Sequence, residues 1–195
     1  GSRVGRSSDQ AEKRLETGPA FGASVSPRSA HRSPLTSDWP TFRHDAARSG
    51  GTKTVVEANG LKQTWQADLG GKLTSPVIGE GKLLVAAVDR HEVHALDAVS
   101  GERYWDFVAG GRIDSPPTVF GDLLLFGSAD GRVYCLRADD GELVWRFLAA
   151  PRDRRLGYFD QIESVWPVHG SVLIRDRIAY VTAGRSTYVD GGIRV

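Results

Sequence analysis

The sequence predicts an all-β chain: part of a β-propeller of four-stranded antiparallel blades, about three of them present, behind a disordered N-terminal tail. Three observations predict it. A sequence unit recurs at a spacing of forty residues, each unit divides into short apolar runs cut by turn residues, and residues 1–37 have none of this texture.

The tail is rich in Arg, Ser, Gly, Ala and Pro, with only scattered Val, Leu and Phe. Such a composition cannot bury enough apolar area to offset the entropy of ordering the chain. Residues 9–15 could form a short helix, but little would hold it. From Asp38 the texture changes to DWPTFRHDAARSGG, where Trp39 and Phe42 read as anchors of a leading segment that docks on the repeats beyond it.

From Trp65 the chain repeats. Trp65, Trp105 and Trp145 lie forty apart, as do Gly70-Gly71 and Gly110-Gly111, Ser75-Pro76 and Ser115-Pro116, Gly81 and Gly121, and Leu83-Leu84 and Leu123-Leu124. Without a gap, 13 of 40 positions match, which chance spacing rarely gives. The repeats run over about 65–104 and 105–144, with a third, carrying an insertion, over 145–195; together with the leading segment they form one unit over 38–195.

In the first repeat strands are expected near 76–78, 83–88, 92–97 and 103–108. The runs are too short for helices. LLVAAV and LLLFGS are almost continuously apolar, which fits sheets covered on both faces. Such sheets stacked between like neighbours are propeller blades. Propellers take about 4–8 blades, so the chain reads as a piece of a larger one; the absence of any Met also reads as a fragment or processed form.

In ALDAVSGERYW, the segment from Asp97 to Gly101 is a tight turn between the third and fourth strands, with Gly101 supplying positive φ. Trp105 then carries its ring to the junction between blades, where a buried indole N–H needs an acceptor. Gly141 and Trp145 repeat the arrangement in CLRADDGELVW.

These residues resemble the tryptophan-docking motif of PQQ-like (quinoprotein) propeller repeats, Ala-x-Asp-x-x-Thr-Gly-Lys-x-x-Trp. Ala95, Asp97, Gly101 and Trp105 fit it, with Ser100 for Thr and Glu102 for Lys; in the second copy Cys135, Arg137 and Asp140 depart. The resemblance runs over 38–195 and includes DWPTFRHDAARSG, ESVWPVHGS and AGRSTYVDGG. It implies a periplasmic or cell-envelope bacterial protein, and either a binding or assembly scaffold or part of a quinoprotein dehydrogenase using PQQ and calcium. The enzymes of that family, as the resemblance implies, hold calcium with Glu, Asn and Asp oxygens, use an Asp base and carry a disulfide between adjacent cysteines. This chain has one Cys and one Asn, Asn59. PQQ and calcium are therefore expected only if further blades supply the site, and no catalytic or metal-ligating residue is assigned.

Composition sharpens the exclusions. With 25 basic against 24 acidic residues no global field recruits nucleic acid or an anionic membrane. The single Cys135 cannot pair internally, no spacing resembles a zinc site, and no apolar run approaches a membrane span or a signal peptide's core. His91 and His94 fall on a hairpin tip and in a strand, and Asp89, Asp130, Asp139-Asp140 and Asp190 read as turn formers. Cys135 aligns with Ala95 and reads as a small buried residue.

The most informative segment is where the repeat breaks. After Trp145 the chain inserts some fourteen residues beyond the repeat length, within AAPRDRRLGYFDQIESVWPVHG. This stretch holds Arg154, Arg155, Tyr158, Phe159, Glu163, Trp166 and His169; a second long loop over 184–192, with Arg185 and Tyr188, is expected on the same face. Long loops on a rigid scaffold often carry function. Aromatics beside charges suit a protein or small-molecule ligand, and a loop packed over the propeller's end accounts for them equally. Further blades of the same polypeptide are the remaining expected partner.

Overall fold

The computed structural model describes residues 14–22, 38–57, 59–158 and 160–195. The first strand, β1, is Leu15–Thr17. Blade 1 is an antiparallel sheet of β2 (Val77–Gly79), β3 (Lys82–Ala87), β4 (Glu92–Asp97) and β5 (Arg103–Val108), in that order. Blade 2 repeats it with β6 (Thr118–Phe120), β7 (Leu123–Gly127), β8 (Arg132–Arg137) and β9 (Leu143–Leu148), and β1 joins its outer edge. A hairpin, β10 (Arg155–Tyr158) and β11 (Gln161–Ser164), rises from the insertion; β12 (Leu173–Arg175) and β13 (Ile178–Tyr180) form a second two-stranded sheet in the stretch read from the sequence as the third repeat. Among the described residues the only helical element is a 3-10 turn, Val88–Arg90, and no helix is long and apolar enough to cross a membrane.

Two differences from the sequence reading concern the N-terminal part. Residues 14–22 are not a structureless tail: β1 pairs with β9, Leu15 opposite Phe147 and Thr17 opposite Trp145. A strand added to an existing edge needs no core of its own, so composition did not reveal it. The remaining tail residues, 1–13 and 23–37, lie outside the described residues. In the leading segment Trp39 does anchor, exchanging both backbone hydrogen bonds with Ile78. Phe42, by contrast, is 42% exposed beneath the Arg48 guanidinium.

The two blades are forty residues apart in their outer strands and forty-one in their inner ones. Leu84 faces Ala95 across the first sheet, while Leu125, not Leu124, faces Cys135 across the second. An extra residue in GRIDSPPT relative to GKLTSPV shifts β6 and β7, and a three-residue tip in place of a four-residue one between the second and third strands restores the register. A one-residue slip exchanges the faces of a strand. Leu84 and Leu124 accordingly meet across the same interface, from opposite sides, in the apolar core between the blades. That core also holds Val77, Val93, Ile113 and Leu136, and Phe107 packs edge-on against Phe126 and Tyr134. A second core, with Leu125, Val133, Cys135, Trp166 and Val168, joins blade 2 to the insertion and third repeat.

The repeated tryptophans fix the spacing of these layers. The Trp105 indole N–H donates to the Ala138 carbonyl at 3.1 Å, and its six-membered ring lies flat over Gly141 in the outer turn of blade 2. Trp65 does the same one unit earlier, donating to the Ala98 carbonyl at 3.3 Å and covering Gly101. Both glycines hold positive φ, +75 and +73, and a Cβ at either would lie 2.5 Å from the ring. Each turn needs glycine twice, for its backbone and for the indole. Trp145, half-buried, lines a cavity of about 250 Å³ with Val133, Phe147, Tyr180 and Val181.

The side chain of Asp97 shapes the first of these turns. It accepts the Val99 and Ser100 N–H groups and the Tyr104 hydroxyl, and these bonds hold its carboxyl down at about 2. Tyr104 reaches it because β5 carries an extra residue there, Ala95 facing Trp105 and Leu96 facing Arg103. Blade 2 has Arg137 instead, held by Asp140 and Glu142.

Trp105→Ala is expected to cost about 3–5 kcal/mol in urea unfolding, the range for removing a buried aromatic. Gly141→Ala, which leaves the indole in place, should also lower the midpoint; an unchanged midpoint in both would remove the docking role.

Candidate functional site

The connections at one end of the blades gather into a single surface. The insertion's Ser164 and Val168 N–H groups donate to Ala129 and Ser128 at the β7–β8 tip, and the Ala129 N–H donates to Arg112 in the link between the blades. Gln161 meets His91, at the tip of blade 1, at 2.9 Å. Gly184 N–H donates to Pro167, and the Trp166 indole N–H donates to the Asp190 carbonyl at 2.8 Å. The two long loops thus share a face.

At the centre of this surface lies Glu163, fully buried. Arg185 donates to its Oε2, and Arg112 stands 3.3 Å from its Oε1. Arg185 also donates to the Ser164 carbonyl and stacks on Tyr158, its guanidinium 4.0 Å from the ring centre. Arg112 continues the chain of charges to Asp114 at 2.8 Å, and Asp114 takes the His169 ring at 2.5 Å. Burial alone would raise the Asp114 carboxyl; the His169 and Arg112 bonds outweigh it and hold it below its ordinary value. Burial alone would lower Arg112, and Asp114 and Glu163 together hold it above.

Of the residues singled out in the sequence, Tyr158, Glu163, His169 and Arg185 join this network, and Trp166 packs beneath it, 7% exposed. Arg154 and Arg155 lie at the hairpin base, facing solvent beside Asp190 and Asp153. Tyr188 projects from the second loop, 94% exposed, and Phe159 lies outside the described residues. Sequence reading passed over Arg112 and Asp114. The signal was there: at forty-residue spacing they stand against Lys72 and Thr74, so the acid is a departure from the repeat.

His91 and His94 do not converge, because His94 turns to Asp106 at 2.5 Å while His91 meets Gln161. Cys135 is buried, and burial pushes its thiol up to about 12. Asp130 does more than form a turn: buried, it accepts the Tyr134 hydroxyl at 2.7 Å as well as the Arg132 N–H.

Calcium beside a quinone needs several hard oxygens turned to one point. Glu163 is instead spent on two guanidiniums and Asp114 on His169 and Arg112. No three His, Cys, Asp or Glu residues among the described residues converge as a metal site. The described residues do not fit that cofactor pair.

Glu163→Gln should cost about 3–5 kcal/mol in urea unfolding, because it leaves two guanidiniums facing a neutral amide. Asp114 contributes fully above its unfolded value near 3.9, and that contribution is lost as pH falls through its lower folded value. Asp114→Asn should therefore flatten the acid limb of the stability profile; an acid limb unchanged by the substitution would show that Asp114 does not couple to the fold.

The chain matches known proteins in two ways, by its fold and by a family model. The chain spans about a quarter of each of three similar solved structures. Quinohemoprotein alcohol dehydrogenase from Comamonas testosteroni superposes with a TM-score of 0.62 at 20% identity, over 84% of this chain and 26% of that one. Quinohemoprotein alcohol dehydrogenase ADHIIG from Pseudomonas putida HK5 gives 0.61 at 15%, over 76% and 23%. A europium-containing methanol dehydrogenase gives 0.59 at 14%, over 80% and 28%. At these identities the likeness establishes the fold alone. No curated protein matches the chain. The family model described as "Outer membrane protein assembly factor BamB" matches residues 50–186, most of the chain, and with the docked tryptophans and open stack of blades it shows that the chain belongs to this family of PQQ-like β-propeller repeats.

Proposed function

We propose that the chain is a binding or assembly scaffold module of an exported bacterial protein, working in the periplasm or cell envelope, and that its loop face receives a protein partner. One observation carries the reading. The insertion turns Glu163 inward, where Arg112 and Arg185 hold it to the blades, and turns Ile162 and Arg154 outward. Ile162 (68% exposed), Tyr188 (94%) and Arg154 (68%) stand on that outer surface. Exposed aromatic and aliphatic groups beside arginine, on a loop braced from beneath, are the composition of protein-binding surfaces. The description of the family as an assembly factor supports the same reading.

The competing reading, part of a PQQ- and calcium-dependent dehydrogenase, draws on the dehydrogenases among the similar folds. A photoreactive amino acid placed in the native polypeptide separates the two. Position 188 or 162 should give a discrete cross-linked protein in cells, and position 99, exposed in a turn at the far end of blade 1, should give none. No adduct from the loop face, together with saturable binding of PQQ and calcium by the purified polypeptide, would reverse the choice.

A further inference from the structure

The two blades share a backbone plan, yet among the described residues only blade 2 carries an added strand. Along the outer edge of β9 the segment 14–20, Arg-Leu-Glu-Thr-Gly-Pro-Ala, is bound at four points. The Arg14 guanidinium donates to the Leu148 and Ala149 carbonyls at 2.8 and 3.0 Å and lies over the Phe147 ring. The Glu16 carboxylate accepts from Arg146 and stands 3.5 Å from Arg132. Gly18 donates its N–H to Val144 at 2.9 Å, and a Cβ there would run into the Leu143 carbonyl. Ala20 donates to the Leu143 carbonyl at 3.0 Å and is buried, 3% exposed.

Blade 1 supplies the contrast. In the common register Asp106 stands where blade 2 has Arg146, each opposite the middle of the third strand, and Glu92 stands where it has Arg132. A strand carrying Glu16 would there meet two carboxylates. No described strand lies on β5, and Tyr104 and Val108 are exposed along it. The same backbone edge is thus offered twice, and side-chain charge separates the two.

We infer that the outer edge of β9 is a sequence-selective binding site for an extended peptide of the pattern Arg-x-Glu-x-Gly-x-Ala, occupied by residues 14–20 as a ligand carried on the same chain. Strand addition supplies main-chain hydrogen bonds that any sequence can make; the selectivity resides in the paired arginines, the Phe147 ring and the glycine contact. Opposite charges across an antiparallel pair favour one partner, and like charges reject it.

The test uses the whole chain with its own strand displaced, by Glu16→Arg or, through the steric block, by Gly18→Ala. Near-ultraviolet circular dichroism checks that the blades keep their packing, and either variant that passes serves. In it the Leu148 amide, which donates to Arg14 at 2.8 Å, should lose hydrogen-exchange protection and regain it when a peptide of residues 14–22 is added. By fluorescence anisotropy that labelled peptide should bind saturably, and the same peptide with Glu16→Arg at least tenfold more weakly. A chain carrying Arg132→Glu and Arg146→Glu should reverse that preference. Absence of saturable binding, equal binding of the two peptides, or unaltered Leu148 exchange in the displaced chain would overturn the inference.

Discussion

The structure depends on the contact between a tryptophan of one unit and a glycine turn of the next. Trp65, half-buried, on Gly101 and Trp105, buried, on Gly141 each combine a ring laid on glycine, an indole hydrogen bond and a backbone conformation open to few other residues. Both contacts run from the tryptophan that opens one unit to the outer turn of the sheet that follows it. The contact therefore fixes both the separation and the rotation of adjacent sheets, and the apolar side chains between them pack in one register. Phe107 against Phe126 and Tyr134, and Leu84 against Leu124, result from that spacing. So does the gathering of the other ends of the strands into one surface, where the insertion meets the tips of both blades.

What the sequence revealed and what it concealed divide along this contact. The outer strands carry the tryptophan and glycine, tolerate no slip, and were legible at forty-residue spacing. The inner strands carry no such mark, and two compensating length changes left the matches of Gly81 with Gly121 and Leu83-Leu84 with Leu123-Leu124 out of step with the observed register. Apolar runs covered on both faces hide such a slip, since either face is filled by leucine. β1 was illegible for a different reason: its stabilising contacts lie about 130 residues away in sequence and on an edge, so its own composition looks like a tail. Phe42 was misjudged as an anchor because a large ring can also be sheltered by a neighbouring guanidinium, here that of Arg48.

The loop face was located by the break in the repeat, but its internal logic was not. Glu163 and Arg185 were both singled out, while Arg112 and Asp114, which tie them to the blades, lie in a stretch that read as an ordinary connection. A buried charge network adds little stability over apolar packing of the same volume, because desolvation offsets most of the attraction. It does discriminate among arrangements. A loop held by apolar contacts can settle in several positions, whereas one holding a buried carboxylate between two guanidiniums has few alternatives that keep every charge paired. The residues turned outward, Ile162 and Tyr188 among them, are then presented from a fixed base.

Charge resolves a second ambiguity inherent in repeats. Identical backbones offer identical edges, so a free strand cannot choose between blades by hydrogen bonding alone. The chain assigns the choice to charged positions along the edge. Glu92 and Asp106 in blade 1 become Arg132 and Arg146 in blade 2, while the residues beside them that pack between the blades, Val93 with Val133 and Phe107 with Phe147, stay apolar. Because strand residues alternate between faces, these substitutions change the identity of an edge without disturbing the docked tryptophan one residue away. A repeat protein can in this way keep one packing solution throughout and still give each blade a different partner.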